Sequence, residues 1–146
     1  MLNTFDRRRA ALGAGLAVAL CTVLLLAAGP RADAAATNCL LESGGTVCNV
    51  TNGFGRYVGY IGATRNKFSW SYICDYSADI SVLDGRNHAR VKFFRHVGPH
   101  NGCTALRAWF RVDVGRYFAN GDVTSVRWYE EGLGGTPQYA NVTIRG

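Results

Sequence analysis

The chain has 146 residues, a formal net charge of +6 and 48% hydrophobic residues. This length excludes an arrangement of several domains of ordinary size. The excess of basic residues is mild, so charge alone does not identify a polyanion-binding protein.

The first 36 residues have the layout of a secretory leader. Three arginines at Arg7–Arg9 precede a mostly apolar run from Ala10 to Gly29, and small residues follow up to Ala36. This order is typical of a cleaved signal peptide, although the run is long enough to anchor the chain in a membrane. Cleavage before Ala35 or before Thr37 fits equally, and the general secretory and twin-arginine routes both stay open. We expect residues 1–36 to be removed, leaving no membrane span.

Residues 37–146 then form a single β-rich domain of about 110 residues. The leader holds four basic and two acidic residues, so its removal lowers the net charge from +6 to +4. Ten of the twelve remaining basic residues are arginine, which binds planar anions with two hydrogen bonds. The expected location is secreted, either free or retained on the surface of a cell or spore.

The cysteines predict two disulfides. Cys21 leaves with the leader, and an even number remains: Cys39, Cys48, Cys74 and Cys103. In an exported chain this count indicates disulfide bonds, each stabilising by about 2–4 kcal/mol. We favour Cys39–Cys48 and Cys74–Cys103, because Glu42–Gly45 has turn chemistry that can bring the first pair together. A zinc site is disfavoured, since the chain has no CxxC pair.

Alternation of apolar and polar residues predicts strands throughout the mature chain. It is clearest at Lys67–Tyr76, Arg107–Val114 and Tyr139–Arg145, and weaker at Thr46–Thr51, Arg56–Ala63, Ala78–Leu83, Ala89–Val97 and Val123–Glu130. Turn residues separate these segments at Asn52-Gly53, Asp84-Gly85, Gly98–Gly102, Asn120-Gly121 and Gly132–Pro137. The pattern predicts an all-β fold, a small antiparallel β-sandwich or barrel of seven to eight strands stapled by two disulfides.

The segment Asn120–Ser125 resembles the calcium loop of the β/γ-crystallins. That loop has two Asn or Asp residues, two variable positions and then Ser/Thr-Ser, and a faint echo of the segment lies at Asp79–Val82. The second position here is Gly121, and the earlier copy lacks the adjacent acidic pair. We therefore carry no calcium ligand over from the resemblance, and expect neither a metal nor a cofactor.

Two segments supply the candidate binding face. If the segment from His88 to His96 is a strand that pairs with Arg107–Val114 across the Gly98–Thr104 loop, one exposed face of this hairpin becomes basic and aromatic. Its residues are Arg90, Lys92, Phe94, His96, Arg107, Trp109 and Arg111. Basic groups attract phosphate or sulfate, and aromatic planes can stack on a base or a sugar ring. The alternative is an ordinary solvated sheet face.

No reaction-specific motif is present, so we assign no catalytic residue. A small ribonuclease is one alternative, using groups drawn from His88, His96, His100, Glu130, Glu131, Arg90 and Lys92. A secreted antimicrobial protein or toxin is another. The leading prediction is a secreted, non-catalytic β-protein that binds an extracellular polymer or protein: a cell or spore surface component, an envelope polymer or an enzyme that it inhibits. A polyanion is one candidate.

Overall fold

The computed structural model describes residues 35–132 and 134–146, so the predicted leader up to residue 34 lies outside the described residues. The described chain is all-β and contains no helix. Its nine strands are β1 (Ala36–Glu42), β2 (Gly45–Phe54), β3 (Tyr57–Lys67), β4 (Tyr72–Leu83), β5 (Val91–Ala105), β6 (Arg107–Tyr117), β7 (Val123–Glu130), β8 (Gly134–Gly135) and β9 (Ala140–Thr143). The predicted fold class is therefore confirmed, with short β8 and N-terminal β1 in addition to the predicted strands.

The strands form two antiparallel sheets. Sheet A has the order β1-β2-β3-β6. Sheet B has the order β5-β4-β7, and both β8 and β9 pair with the far side of β7. The two sheets bury a common apolar core, as in a β-sandwich. Side chains therefore alternate between this core and one of two opposite outer faces.

The core draws on both sheets. Its fully buried members from sheet A are mainly small and β-branched, whereas sheet B adds the large rings of Tyr76 and Trp128. These two rings stack with centroids 5.3 Å apart, and Phe110 packs against both. Aromatic pairs of this kind stabilise a core beyond their buried area. The other fully buried apolar residues include Val47, Val58, Ile61, Ala63, Ile73, Ala78, Ile80, Val82 and Val126.

The alternation in two predicted strands is confirmed. In β6, Ala108 and Val112 are buried, while Arg107, Trp109 and Arg111 are exposed. In β9 and just after it, the predicted buried set of Ala140, Val142 and Ile144 is also buried. The bounds of β7 match the predicted segment Val123–Glu130. Alternation with a period of two residues therefore identifies the strands that have one solvent-exposed and one buried face.

The prediction of one strand over Lys67–Tyr76 is wrong. β3 ends at Lys67 and β4 begins at Tyr72, with a four-residue turn between them. The backbone of this turn bonds to neighbouring turns, since Phe68 N donates to Gly44 O and Leu106 N donates to Ser71 O. The turn leaves three aromatic side chains exposed: Phe68, Trp70 and Tyr72.

The alternation predicted across Lys67–Tyr76 also breaks at Asp75. This residue has a φ of 42°, in the left-handed region, and the pairing register shifts between Cys74 and Tyr76, where β5 holds one residue more than β4. An irregularity of this kind reverses which side chains of a strand point inward. As a result Ile73 and Tyr76 are both buried, although they lie three residues apart.

Both predicted disulfides are present. Cys39 and Cys48 lie directly opposite each other on β1 and β2, where the Ser43-Gly44 turn returns the chain. Cys74 and Cys103 lie opposite each other on β4 and β5. Disulfides persist in oxidising compartments, so these bonds indicate such an environment. Within the described residues, no helix is long and apolar enough to cross a membrane.

Candidate functional site

The predicted hairpin between the two basic segments does not form. β5 pairs with β4 in sheet B, whereas β6 pairs with β3 in sheet A. The predicted Gly98–Thr104 loop is strand, because β5 continues to Ala105 and Cys103 is bonded to Cys74. The chain then passes to the other sheet at Leu106, which has a φ of 63°. The single basic and aromatic face is therefore divided between two sheets.

The candidate residues of β6 stay together on the outer face of sheet A. Arg107, Trp109 and Arg111 form an exposed line along this edge strand, which we call the arginine–tryptophan strip. Trp109 is 63% exposed and lies opposite Thr64 of β3. Alternate residues of a strand are about 7 Å apart, so the Trp109 backbone position lies between those of Arg107 and Arg111.

Neighbouring side chains hold one end of this strip in place. The Arg111 guanidinium lies 4.1 Å from the centroid of the Tyr60 ring, and its Nε donates to Asp113 Oδ1 over 2.9 Å. A stacked, hydrogen-bonded arginine loses little further freedom when it binds a ligand. Arg107 makes no ion pair with any acidic group of the described residues. The strip therefore combines an arginine held by Asp113, an exposed indole and a second arginine without an ion pair.

Phe94 and His96 lie on the outer face of sheet B. Nδ1 of His96 is 2.7 Å from Oδ1 of Asp79, the residue opposite it on β4. The other oxygen of Asp79 accepts a hydrogen bond of 2.6 Å from the Tyr129 hydroxyl. This bond, together with burial, raises the pKa of Tyr129 above its ordinary value. Phe94 is exposed beside this group, and neither residue faces the arginine–tryptophan strip.

Arg90 and Lys92 lie at one end of the sandwich rather than on a shared strand face. Arg90 belongs to the turn before β5 and is exposed. Lys92 Nζ is within 3.1 Å of Asp84 and 2.7 Å of Asp122. Hydrogen bonding to Asp122 raises the pKa of Lys92. Its charge is thus engaged inside the protein and is not offered to a ligand.

Asp122, the acid of the segment that resembles a crystallin calcium loop, is also engaged internally. It is 1% exposed and accepts hydrogen bonds from Gly85 N and Ala119 N as well as from Lys92. Burial, the largest single influence, acts to raise the pKa of Asp122, but these donors together hold it below the ordinary value. The Asp122 carboxylate therefore links the turns that contain Gly85 and Ala119 at this end of the sandwich.

The three histidines do not come together. His96 faces outward with Asp79, while His100 stacks on the buried Tyr76 ring with centroids 4.7 Å apart. His88 lies in the turn between β4 and β5. Acid and base catalysis of RNA cleavage needs two groups within reach of the same phosphate. The fold does not assemble that pair from these histidines.

A charged group lies between the sheets, and of its members the sequence pointed only to Glu130. Arg65 and Lys67 of β3 point inward and both pair with Glu130 of β7. Arg65 Nη2 also donates to Ser43 O over 2.6 Å. Beside these residues is a cavity of about 240 Å³ that Arg65 and Trp128 both line, which we call the Arg65–Trp128 cavity. A charged residue at the inward position after Ile61 and Ala63 is the sequence signal that points to it.

No family model, no curated protein and no solved structure matches the chain.

Proposed function

We propose that the protein is an exported, non-catalytic β-sandwich that binds an anionic sugar polymer of a cell envelope. The observation that carries the proposal is the arginine–tryptophan strip on the outer face of sheet A. Trp109 is 63% exposed between Arg107 and Arg111. Soluble proteins commonly expose aromatic groups where they bind a partner. Residues 37–146 also carry a net charge of +4, which attracts anions at long range.

The spacing of the strip favours a polymer over a single small anion. Arg107 and Arg111 are four residues apart on one strand, a separation of about 13–14 Å along the backbone. A repeating chain of charged sugars can reach both guanidinium groups and cover the indole plane between them. Asn66, which is partly exposed and lies opposite Arg107, adds a polar group beside the strip.

The test is retention of the purified mature protein on immobilised heparin and on a cell-wall fraction, eluted with increasing salt. The Arg107→Ala, Arg111→Ala double variant should elute at lower salt, because two charge-assisted contacts are lost. Trp109→Ala should also weaken retention, although it leaves the net charge unchanged. A structural role for these exposed side chains is small, so the variants should keep the unfolding midpoint of the parent protein.

A matched control variant distinguishes the effect of this face on retention from the effect of net charge alone. Arg90 and Arg95 are exposed in or beside the edge strand of sheet B, and Arg90→Ala, Arg95→Ala removes the same two charges. Equal effects of the two double variants would show that any exposed arginine suffices and would overturn the proposal. RNA cleavage or growth inhibition by the unmodified protein would support the ribonuclease or the toxin instead.

A further inference from the structure

The Arg65–Trp128 cavity is separate from the arginine–tryptophan strip on the outer face of sheet A. It has a volume of about 240 Å³ and lies where the β1–β2 turn, the end of β7 and the segment Gly134–Pro137 meet. Its lining consists of Glu42, Ser43, Arg65, Trp128, Glu130, Gly134, Gly135, Thr136 and Pro137. Ligand pockets for drug-sized molecules occupy roughly 300–1,000 Å³, so this cavity suits a smaller molecule.

Two buried donors in the lining have no acceptor. Among residues 35–132 and 134–146, Arg65 Nη1 and Trp128 Nε1 make no hydrogen bond, and each exposes less than 1 Å². The two residues are 1% and 0% exposed as a whole. Buried N–H groups are nearly always paired, and an unpaired one is costly. Both residues line the cavity, so an acceptor that enters it and displaces the atoms now covering these donors would satisfy them.

The charges around the cavity favour an anionic acceptor. Arg65 and Lys67 share the single carboxylate of Glu130, and the three side chains are 2%, 12% and 6% exposed. This buried group therefore carries one positive charge in excess, and a buried charge needs a partner. Glu42 also lines the cavity, but it is partly exposed and remains solvated. A carboxylate supplies both the missing charge and two acceptor oxygens.

The rest of the lining favours an organic anion with an apolar body. Pro137 offers apolar surface above the buried Trp128 ring, and Gly134 and Gly135 add a wall without side chains. Apolar burial adds affinity in proportion to the area removed from water.

We propose that the Arg65–Trp128 cavity binds a small monocarboxylic acid in its ionised form. One carboxylate oxygen accepts from Arg65 Nη1, the other accepts from Trp128 Nε1, and the apolar body lies against the indole and Pro137. The site is separate from the arginine–tryptophan strip, so this proposal does not depend on polymer binding. The competing occupant is ordered water, which can also satisfy buried donors.

The test is a nuclear magnetic resonance titration of ¹⁵N-labelled mature protein with benzoate, using benzamide as the neutral isostere. The chain has three tryptophans, so Trp70→Phe and Trp109→Phe assign the indole N–H signals by elimination. Benzoate should move the Trp128 signal saturably, with a dissociation constant of about 1 mM or lower. Benzamide should bind about tenfold more weakly or worse, because it lacks the charge.

Single substitutions show whether benzoate binds in the cavity. Arg65→Met should weaken benzoate binding by about tenfold or more, whereas Arg107→Met removes the same charge on the outer face and should leave it unchanged. Polymer retention should show the reverse pattern. If Arg65→Met fails to fold, the comparison of benzoate with benzamide on the unmodified protein still decides. A Trp128 signal that does not move by about 20 mM benzoate, or moves equally with benzamide, assigns the donors to water and overturns the proposal.

Discussion

Two buried polar groups between the sheets differ in the completeness of their hydrogen bonding. The first, which we call the Asn49 network, lies between β2 and β7. Asn49 Nδ2 donates to Thr124 O, Thr124 Oγ1 and Ala140 O, each over 3.0 Å. Thr51 Oγ1 donates to Asn49 Oδ1, and the hydroxyls of Thr51 and Thr124 are 2.6 Å apart. All three side chains are at most 1% exposed.

The second group is Arg65, Lys67 and Glu130, which leaves Arg65 Nη1 and the neighbouring Trp128 Nε1 without partners in the described chain. The Asn49 network closes on itself and fills its space, whereas this group opens on a cavity. A closed network specifies how two sheets pack. An open one keeps donors for a ligand, so the difference separates a structural role from a binding role.

Asn49→Leu should give the largest loss of stability and so tests the structural half of this comparison. Leucine has a similar size, but it leaves Ala140 O and Thr124 O without the Asn49 donor, and the Thr51 hydroxyl loses one of its two partners. Buried groups left unpaired cost about 1–3 kcal/mol each, and we expect a total near 3 kcal/mol. The free energy of unfolding in urea measures it.

Asn141→Leu is the matched control. Asn49-Val-Thr51 and Asn141-Val-Thr143 share a sequence pattern, but Asn49 is buried and Asn141 is exposed. Surface substitutions usually change stability by about 0.5 kcal/mol or less. Similar losses from the two variants would show that the Asn49 network does not hold the sheets together.

Arg65→Met should cost much less stability than Asn49→Leu, about 1 kcal/mol. Glu130 keeps Lys67 as its partner, so no buried carboxylate is left uncompensated, and the substitution also removes the unpaired Nη1 donor. Urea unfolding of the two variants under the same conditions gives the ranking. A loss from Arg65→Met as large as that from Asn49→Leu would make the open group structural and would remove the contrast.

Local pattern predicted those parts of the fold that depend on neighbouring residues. The exposed alternation of Arg107, Trp109 and Arg111 follows from period two within one strand. The disulfide Cys39–Cys48 follows from the turn between its two cysteines. These features need no knowledge of how the sheets are arranged, so the sequence alone was sufficient.

Features that depend on bulges and on sheet pairing were not predictable in this way. Asp75 and Leu106 adopt the left-handed backbone conformation, and neither residue type announces this in the sequence. The facing of β4 reverses at Asp75, and the chain passes between the sheets at Leu106. The Arg65–Trp128 cavity joins residues more than sixty positions apart. The inward charge of Arg65 was a signal, but its partners were set by the packing of β3 against β7.

Lys92 and Asp84, which form an ion cluster with Asp122, are more exposed than the side chains of the two buried groups. Lys92→Gln should therefore have the smallest effect on the free energy of unfolding. Hydrogen bonds from Arg86 N, then from Lys92, lower the pKa of Asp84 to about 2, and the pKa of Asp122 is also lowered. A carboxyl group with a lower pKa in the folded state stabilises above its unfolded pKa near 4, and this contribution is lost as the pH falls towards 2.

Urea midpoints at pH 5, 4, 3 and about 2 measure this slope. In Lys92→Gln the fall between pH 4 and 2 should be shallower, because each carboxylate loses its cation. Part of the slope should remain, since backbone donors still hold Asp84 and Asp122. Arg90→Gln removes a nearby exposed cation that does not bond these acids, and should keep the parent slope. Equal slopes in both variants and the parent would show that Lys92 adds nothing to acid stability.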